Sequence, residues 1–599
     1  MEPYRIPVMG PLNMRDDEFV LGAERPGTLV DLLNMDYDLN GLVTRGGYTA
    51  YGAAIAAGKP VMSTYRYAKR DGTDILLAVC GTTLWKEGGT PGVFASIRAG
   101  IVDGALWDFV TLADLCFGID GSAADAIKYD GTTVYPMAIT APTAGPSVAL
   151  SGAGALTGAY QYKVTFVSKW GGETNPGQAS APITASANQI GLSAIPIGGA
   201  DVAERRLYRT LAGGSVYYLL ATITNNTATV YTDNTSDINL SADPEPIDHD
   251  PPPNGHMMAV WKEYLWMVDP AHPTRIAHSH QSTPEIFNTD EALGFFVSVG
   301  LNDGEELIGI GTSKDALFAF KESSTWPITG DVPDDFKTPP EAINKSIGLH
   351  HRTIGYLADG TMVGLHRSGV YRFNGYAFSL LSDRTEDSVQ KVIENLNPSR
   401  LAYARGYVDR RPGHYRYHLF ITESGYSYNN KELVLDLLRD RWTVYDRAAN
   451  GMVRWNDSLL LASAKNDGLI HRVGGLNDNG AAITTRAEWP WWSLWSQDAP
   501  KLVRLLRVDT TQSGQYVPMA EVFFDGAVKS VRLPLGSVAL YGSPSFQMQG
   551  GTYRVKKFGK IDRADVHVMK LVISHSGLNQ PITLNGLTVY GEASTRVVA

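Results

Sequence analysis

The chain has little cysteine, no long apolar run and no excess of basic charge. Its 599 residues include two cysteines, Cys80 and Cys116, which is too few for a disulfide framework, and burial as small hydrophobic side chains is expected. No stretch approaches the ~20 apolar residues that cross a bilayer, and the first residues lack the apolar segment of a signal peptide. We therefore expect neither a disulfide-stapled secreted module nor a helical membrane protein, and we expect synthesis and folding in the cytoplasm.

The negative net charge of the chain bears on which partners it can attract. The chain has 62 acidic and 52 basic residues, a formal net charge of −10, so it has no general attraction for nucleic acid or anionic membranes. An acidic wall would still let DNA slide past, because it does not hold phosphate. The basic pairs are too small and scattered for a nucleic-acid-binding face; they are Arg205-Arg206, Arg410-Arg411 and Lys556-Lys557.

What the chain does have is a recurring unit of strands and turns over residues 75–473. A short apolar run, a Gly or Asp-Gly turn and a second run with an aromatic residue follow one another, as at Asp359-Gly360 and again at Asp467-Gly468. Such repeated hairpins are typical of propeller blades. With 61 glycines and 32 prolines to make tight turns, the sequence predicts an all-β protein built on a β-propeller of about six to eight blades.

The repeat is interrupted between residues 141 and 250, where the flanks are rich in proline. Tyr160, Tyr162, Val164 and Phe166 alternate there with polar residues, which is the pattern of a half-buried strand. Because the segment has no cysteine pair, a fibronectin-like β-sandwich is favoured over an immunoglobulin domain.

Four domains follow from these patterns. Residues 1–140 are predicted to hold the N-terminal segment and the first blades, 141–250 the inserted sandwich, and 251–480 the remaining blades. Residues 481–599 are predicted to form a C-terminal β-rich, sandwich-like domain that closes or caps the propeller. Chain ends that meet in the closing blade would seal the ring.

The sequence contains two motifs that resemble ligand-binding loops, and both lack a required residue. Asp36, Asp38 and Asn40 are spaced like calcium ligands, but Gly47 stands where a bidentate Glu is needed, so we predict a tight turn. The glycine-rich segment before Pro60 lacks the Ser or Thr of a phosphate-binding loop. The sequence therefore predicts no cofactor.

Two further groups have structural interpretations. His278 and His280, with His272 nearby, have metal-ligand spacing, but no further ligand can be placed, so polar strand or loop residues are the default. The carboxylate pairs Glu305-Glu306 and Asp334-Asp335 are adjacent in sequence and point to opposite faces in an extended segment, whereas a glycosidase needs two carboxylates that converge. The sequence thus assigns no catalytic residue and no metal ligand.

A cluster of tryptophans begins the C-terminal region: Trp489, Trp491, Trp492 and Trp495. An exposed aromatic patch for a partner or a sugar is one interpretation. We favour a buried seam between two packed domains, because the cluster stands at a predicted domain junction.

Several short sequence segments, taken together, resemble the β-propeller tail nozzle proteins (tail-hub, or tail tubular protein B-like) of short-tailed bacteriophages. The segments that carry the resemblance are Leu33–Asp36 with Gly41–Gly47, Arg275–Ser279 with Thr283–Phe287, Ala316–Trp326, Gly369–Gly375, and Arg206–Thr210 with Val230–Asp233 in the inserted domain. They extend over most of the chain, and no single segment is diagnostic.

The resemblance implies a structural protein of the virion tail, made in the host cytoplasm. Six copies would form a ring beneath the portal and adaptor, retain genomic DNA in the lumen without sequence-specific binding, and release it at infection. Tail fibres or spikes and tip proteins would attach outside, with no stable membrane insertion. No residue matches a catalytic motif, so no enzyme is expected. Two other classes stay open: a receptor- or glycan-binding propeller of a phage tail and, less favoured, a propeller carbohydrate hydrolase.

Overall fold

The protein is almost entirely β-structure, which confirms the predicted fold class. The computed structural model describes residues 1–599 except 123, 291–293, 302, 497, 513–516, 527–529, 538–552 and 594–599. Within these residues the α-helices are short, α1 (Glu18–Glu24) and α2 (Gln390–Glu394). No helix in the described part is long and apolar enough to span a membrane.

The N-terminal segment supplies five strands that do not begin a blade of their own. They are β1 (Glu2–Ile6), β2 (Asp31–Leu33), β3 (Met35–Asp38), β4 (Gly41–Thr44) and β5 (Tyr48–Ala50). The predicted turn at Asp36–Asn40 is confirmed, because β3 and β4 form a hairpin in which Asp38 pairs with Gly41.

The first two blades follow directly, and each is a four-stranded antiparallel sheet. Blade I contains β6 (Val61–Ala68), β7 (Asp74–Cys80), β8 (Thr83–Glu87) and β9 (Phe94–Ala99). Blade II contains β10 (Asp108–Leu112), β11 (Leu115–Ile119), β12 (Ile127–Tyr129) and β13 (Val134–Pro136).

An inserted β-sandwich separates blade II from blade III, as predicted. Its strands are β14 (Ser147–Tyr160), β15 (Tyr162–Ser168), β16 (Ile183–Ser193), β17 (Val202–Thr210), β18 (Tyr217–Ile223) and β19 (Tyr231–Asp233), followed by a 3-10 turn at Asp237–Asn239. One sheet has the order β14-β16-β19 and the other β15-β17-β18. The alternating Tyr162 and Val164 point into the core between them, where they meet Leu207.

Five more blades complete the propeller. Blade III contains β20 (Met257–Trp261), β21 (Tyr264–Val268), β22 (Arg275–His280) and β23 (Thr283–Phe287), with β24 (Phe296–Ser298) on β22. Blade IV contains β25 (Leu307–Thr312), β26 (Leu317–Lys321) and β27 (Thr325–Ile328), followed by a 3-10 turn at Pro333–Asp335. Blade V begins after a 3-10 turn at His351–Thr353 and contains β28 (Gly355–Tyr356), β29 (Met362–His366), β30 (Gly369–Phe373) and β31 (Phe378–Leu380).

Blade VI follows α2 and a 3-10 helix at Pro398–Tyr403. It contains β32 (Arg405–Asp409), β33 (Arg416–Ile421), β34 (Lys431–Asp436) and β35 (Arg441–Tyr445). Blade VII contains β36 (Ala449–Trp455), β37 (Ser458–Ser463) and β38 (Ile470–Val473), and β5 from the N-terminal segment is its outer strand. The chain ahead of the first blade therefore completes the last one.

Each blade is an open sheet, and packing between blades closes the ring. The inner strands β6, β10, β20 and β25 contact one another in turn, the 3-10 turn at His351–Thr353 contacts both β25 and β32, and β36 contacts both β32 and β6. In blade I, Leu76 and Ala78 pack against Leu460 and Ala462 of blade VII, while Leu77 of the same strand packs toward blade II. Because alternate residues of a strand face opposite sides of its sheet, β7 is apolar throughout and serves two interfaces.

The turns between strands use the predicted Asp-Gly chemistry. Gly360 has φ +82°, in the left-handed region that favours glycine. The side chain of Asp359 accepts a hydrogen bond from the backbone N–H of Thr361 at 3.1 Å, which is an Asx turn.

The two cysteines are buried, as the sequence predicted. Cys80 and Cys116 are both free thiols, and they belong to different interblade cores. Burial raises the pKa of the Cys80 thiol to about 11.

The C-terminal region is a β-sandwich that recruits strands from the N-terminal segment. Its strands are β39 (Thr485–Glu488), β40 (Lys501–Gln512), β41 (Met519–Phe524), β42 (Val531–Pro534), β43 (Gly536–Ser537), β44 (Tyr553–Val566), β45 (Met569–His575) and β46 (Ile582–Ala593). One sheet has the order β3-β4-β46-β40-β44-β43, with β1 also on β46. In the other sheet, β2 pairs with β35 of blade VI on one side and with β39 on the other. Most of the N-terminal segment thus belongs to this sandwich and not to a blade.

The tryptophan cluster is the predicted seam. Trp489 and Trp492 are fully buried in the core shared by the terminal sandwich and blades V and VI. Trp491 stacks on Phe19 of α1 with ring centroids 5.4 Å apart. The indole N–H of Trp492 donates to the Pro26 carbonyl at 2.8 Å, so the cluster also anchors the N-terminal segment.

Candidate functional site

A cavity of about 750 Å³ lies where the inserted sandwich meets blade III. The sandwich contributes β17 and β18, the proline-rich return linker contributes residues 243–249, and blade III contributes Asn288 and Phe295. We call this cavity the junction groove. Its volume falls in the range of about 300–1,000 Å³ that small-molecule sites occupy.

The floor of the groove is a carboxylate held by three partners. Glu173 is buried, and its Oε1 accepts from the Thr165 hydroxyl at 2.6 Å and from the Tyr208 hydroxyl at 2.8 Å. Its Oε2 is paired with Arg206. Arg206 and Tyr208 alternate with Leu207 along β17, so the strand presents polar groups to the groove and an apolar one to the sandwich core.

The linker adds acidic groups to one wall. Lys163 Nζ donates to Glu245 Oε1 at 2.8 Å. Glu245 Oε2 is buried and has no hydrogen-bond partner within the described part of the chain. A buried carboxylate oxygen without a donor is costly, so a ligand hydroxyl that reached it would gain a hydrogen bond at a prepared position.

Three possible metal ligands lie together at one edge of the groove: Asp248 and His249, which line it, and the neighbouring His280. Their donor atoms lie within 4.8 Å of one another. His249 Nε2 is 3.7 Å from one carboxylate oxygen of Asp248, and His280 Nε2 is 4.0 Å from the other. Burial lowers the pKa of His280, which favours the neutral imidazole that binds metals. Zinc bonds of 2.0–2.1 Å would bring such atoms to about 3.3 Å from one another, so the cluster would have to contract.

Of the three histidines singled out in the sequence, one belongs to this edge. His278 is buried, stacks on Phe295 with ring centroids 4.9 Å apart, and has a pKa lowered to about 4 by burial; it is a core residue. His272 is 3.3 Å from Asp269 and about half exposed. His249 and its neighbour Asp248 were not identified as possible ligands from the sequence, because only the fold shows that the linker returns beside β22.

The carboxylate pairs considered in the sequence do not form a site. Glu305 accepts from the backbone N–H of Ser323 at 3.1 Å, and Glu306 is exposed. Asp334 and Asp335 are exposed in a 3-10 turn. Carboxylates that do share a cavity include Glu173 and Glu245 of the junction groove.

Comparison with known proteins gives no family. No protein-family model matches the chain, and no curated protein matches it. Among solved structures, the chain is similar to an exo-β-1,3-galactanase from Phanerochaete chrysosporium with bound β-1,3-galactotriose (9% identity, TM-score 0.23, 56% of this chain and 95% of that one). It is also similar to Kluyvelomyces marxianus Hsv2 (8% identity, TM-score 0.23, 64% of this chain and 96% of that one). A third similar structure is the extracellular domain of a hybrid two-component system from B. thetaiotaomicron (9% identity, TM-score 0.26, 85% of this chain and 72% of that one).

This comparison corrects one expectation from the sequence. The statement that the chain is not an enzyme is wrong, because structures of a galactanase are among those similar to it. At these TM-scores the likeness assigns no activity to the chain.

Proposed function

We propose that the protein is a glycan-binding β-propeller and that the junction groove holds the sugar. The observation that carries the proposal is the lining of the groove. Polar side chains fixed by buried partners stand beside an aromatic ring and a proline-rich wall. Such a mixture of apolar surface and a few placed polar groups is how ligand pockets obtain orientation and specificity.

The polar groups suit a neutral or basic sugar. Glu173 stays in place because its oxygens are already bonded to Tyr208 and Arg206, so little ordering would be needed on binding. Glu245 keeps one oxygen free for a ligand O–H or N–H group. Because the wall is acidic, an anionic sugar would be repelled by Asp243 and Asp248.

The experiment is a groove-blocking substitution. Thr222 is an exposed residue of β18 that lines the groove, and Thr222→Trp keeps a residue type that strands accept while filling the space. Affinity for a panel of neutral glycans, measured by titration calorimetry, is expected to fall about tenfold or more, a loss of at least 1.4 kcal/mol. The matched control is Val230→Trp, at a residue of the same sandwich that is 67% exposed and outside the groove lining.

The same incubations are assayed for released sugar. Release that stops in Thr222→Trp would make the groove a hydrolytic site as well as a binding site. If the protein binds no glycan, or if Thr222→Trp and Val230→Trp bind alike, the groove is not the glycan site.

A second candidate is the tail nozzle or hub of a short-tailed bacteriophage. The observation that favours it is the position of the first segment that carries the resemblance, Leu33–Asp36 with Gly41–Gly47. Asn34 and Arg45 are both buried at the junction of the N-terminal segment, blade VI and the terminal sandwich. Residues that hold domains in a fixed relation suit a subunit that keeps its shape within a larger assembly. In this role the chain is a virion tail protein that forms a hexameric ring below the portal and adaptor, conducts DNA and anchors fibres or spikes.

Light scattering on the preparation used for the glycan titrations separates the two candidates. A stable hexamer without glycan affinity supports the nozzle. A monomer or trimer whose glycan affinity depends on Thr222 supports the glycan-binding propeller.

A further inference from the structure

One end of the propeller axis collects charged and histidine side chains from four blades. The inner strands of blades II, III and VI begin at Asp108, Met257 and Arg405, and that of blade V is preceded by the 3-10 turn that holds His351 and Arg352. Since these inner strands pack side by side round the ring, their first residues converge there although they are far apart in sequence.

The cluster has more cations than anions. Arg352 and Arg405 are two guanidinium groups, and Asp108 is the carboxylate that faces both. One oxygen of Asp108 is already 2.9 Å from His351 Nε2 and accepts from the backbone N–H of Met258 at 2.7 Å. The remaining capacity of one carboxylate cannot neutralise two buried guanidinium groups.

Three buried nitrogen atoms in the cluster have no hydrogen-bond partner among the residues described. They are Arg405 Nη1, Arg352 Nε and His256 Nδ1. Arg405 is 8% exposed. The other end of the Arg352 guanidinium donates to the carbonyls of Leu106 at 2.8 Å and His256 at 3.0 Å, so its position is fixed. Buried donors are almost always paired in native proteins, and a buried charge without a counter-charge is more costly still.

The cluster also borders accessible space. The side chain of Asp108 is 17% exposed to solvent and that of His351 is 11% exposed. Solvent therefore reaches this end of the axis although the inner strands of seven blades surround it. Water that entered this space could satisfy the free N–H groups, but water would leave the excess positive charge in place.

We propose that this end of the axis is a binding site for a small oxyanion, with phosphate or carboxylate oxygens accepting from Arg405 and Arg352. The planar guanidinium suits such a ligand, because its N–H groups match two oxygens at once. The site is separate from the junction groove and does not depend on the proposed glycan binding.

The pKa shifts of the two arginines agree with a site for an anion. Burial, together with the like charge of Arg352, lowers the pKa of Arg405 to about 9, and burial also lowers the pKa of Arg352. Both groups are cationic at neutral pH, because the guanidinium group of arginine is not deprotonated in proteins. An anion between them would favour the charged forms and raise both pKa values.

The test is a calorimetric titration of the full chain with inorganic phosphate at constant ionic strength, and separately with acetate. The wild-type protein is expected to bind about one anion per chain, and Arg405→Met is expected to lose about tenfold or more in affinity. Arg454→Met is the matched control, since Arg454 lies on inner strand β36 but is exposed. Arg352→Met is the second variant and is expected to lose affinity as well. Binding of either anion supports the site, and the stronger of the two identifies the preferred group.

A stability measurement distinguishes a binding role from a structural one. In phosphate-free buffer, Arg405→Met is expected to unfold at the same temperature as the wild type or higher, because it removes an uncompensated buried charge. Added phosphate is expected to raise the melting temperature of the wild type and not that of Arg405→Met. The proposal is overturned if neither anion binds the wild type, or if both arginine variants bind as the wild type does.

Discussion

Replacing Arg45 by methionine is expected to lower the free energy of unfolding by about 3–5 kcal/mol, the usual loss when one partner of a buried ion pair is removed. The Arg45 side chain is 1% exposed and lies 2.6 Å from Asp478 and 3.0 Å from Asp446. Its Nε donates to Asn34 Oδ1 at 2.7 Å. Methionine fills the space but leaves Asp478 without its cation.

The effect is large because three parts of the chain meet at this arginine. Asn34, at φ +56°, donates through its side chain to the Thr484 carbonyl at 2.8 Å, and its backbone N–H donates to the Val444 carbonyl at 2.8 Å. The pair thus connects the N-terminal segment, blade VI and the start of the terminal sandwich. Despite burial, which opposes the charged form, the two aspartates raise the pKa of Arg45.

The measurement is denaturant unfolding followed by tryptophan fluorescence. Arg5→Met is the control, because Arg5 is an exposed residue of the same segment and surface substitutions usually change stability by less than about 0.5 kcal/mol. Equal unfolding midpoints for the Arg45 and Arg5 variants would show that this contact does not hold the domains together.

Lys128→Met is expected to cost a similar amount, about 3–5 kcal/mol, by releasing the inserted sandwich from the propeller. Lys128 lies on β12 of blade II, is fully buried, and donates to Asp201 of the sandwich at 2.8 Å. It also pairs with Glu285 of blade III, which accepts from the Ser168 hydroxyl of the sandwich. Methionine would leave two buried carboxylates facing each other without a cation.

A compensated variant tests this explanation. Lys128→Met combined with Asp201→Asn and Glu285→Gln removes all the charges, and a fully neutral replacement of a buried ionic group is often close to neutral in stability. Unfolding midpoints are expected to fall in the single variant and recover in the triple one. A triple variant as unstable as the single one would mean that Lys128 acts through packing and not through charge.

Much of the fold could be predicted from the sequence, because strands and turns are specified by residues that are close together in the chain. Alternation of Tyr162 and Val164, and glycines placed after aspartate as at Gly360, depend on neighbouring residues and report strands and turns directly. The burial of Trp489 could be inferred from its place between two predicted domains. The number of blades could not be read with the same certainty, because a blade such as IV has three strands and others have four.

The sites could not be predicted, because they depend on contacts between distant residues. Asp248 and His249 become possible metal ligands when the linker returns beside His280. Arg352 and Arg405 meet Asp108 because their inner strands converge on one axis. The residues next to these side chains in sequence form no motif that would identify either the possible metal ligands or the arginine cluster.

β5, which lies ahead of the first blade, completes blade VII by pairing with β38, and this pairing ties the start of the chain to the end of the ring. Thr49 and Arg472 are exposed register partners in this pairing, and facing residues of antiparallel strands are about 4.5–5.5 Å apart between Cα atoms, within disulfide range. Thr49→Cys with Arg472→Cys is expected to form an intramolecular disulfide on mild oxidation, seen by peptide mass spectrometry. Thr49→Cys with Tyr376→Cys, on blade V, is expected to form none. Absence of the first cross-link, or equal yields from both pairs, would contradict the completion of blade VII by the N-terminal strand β5.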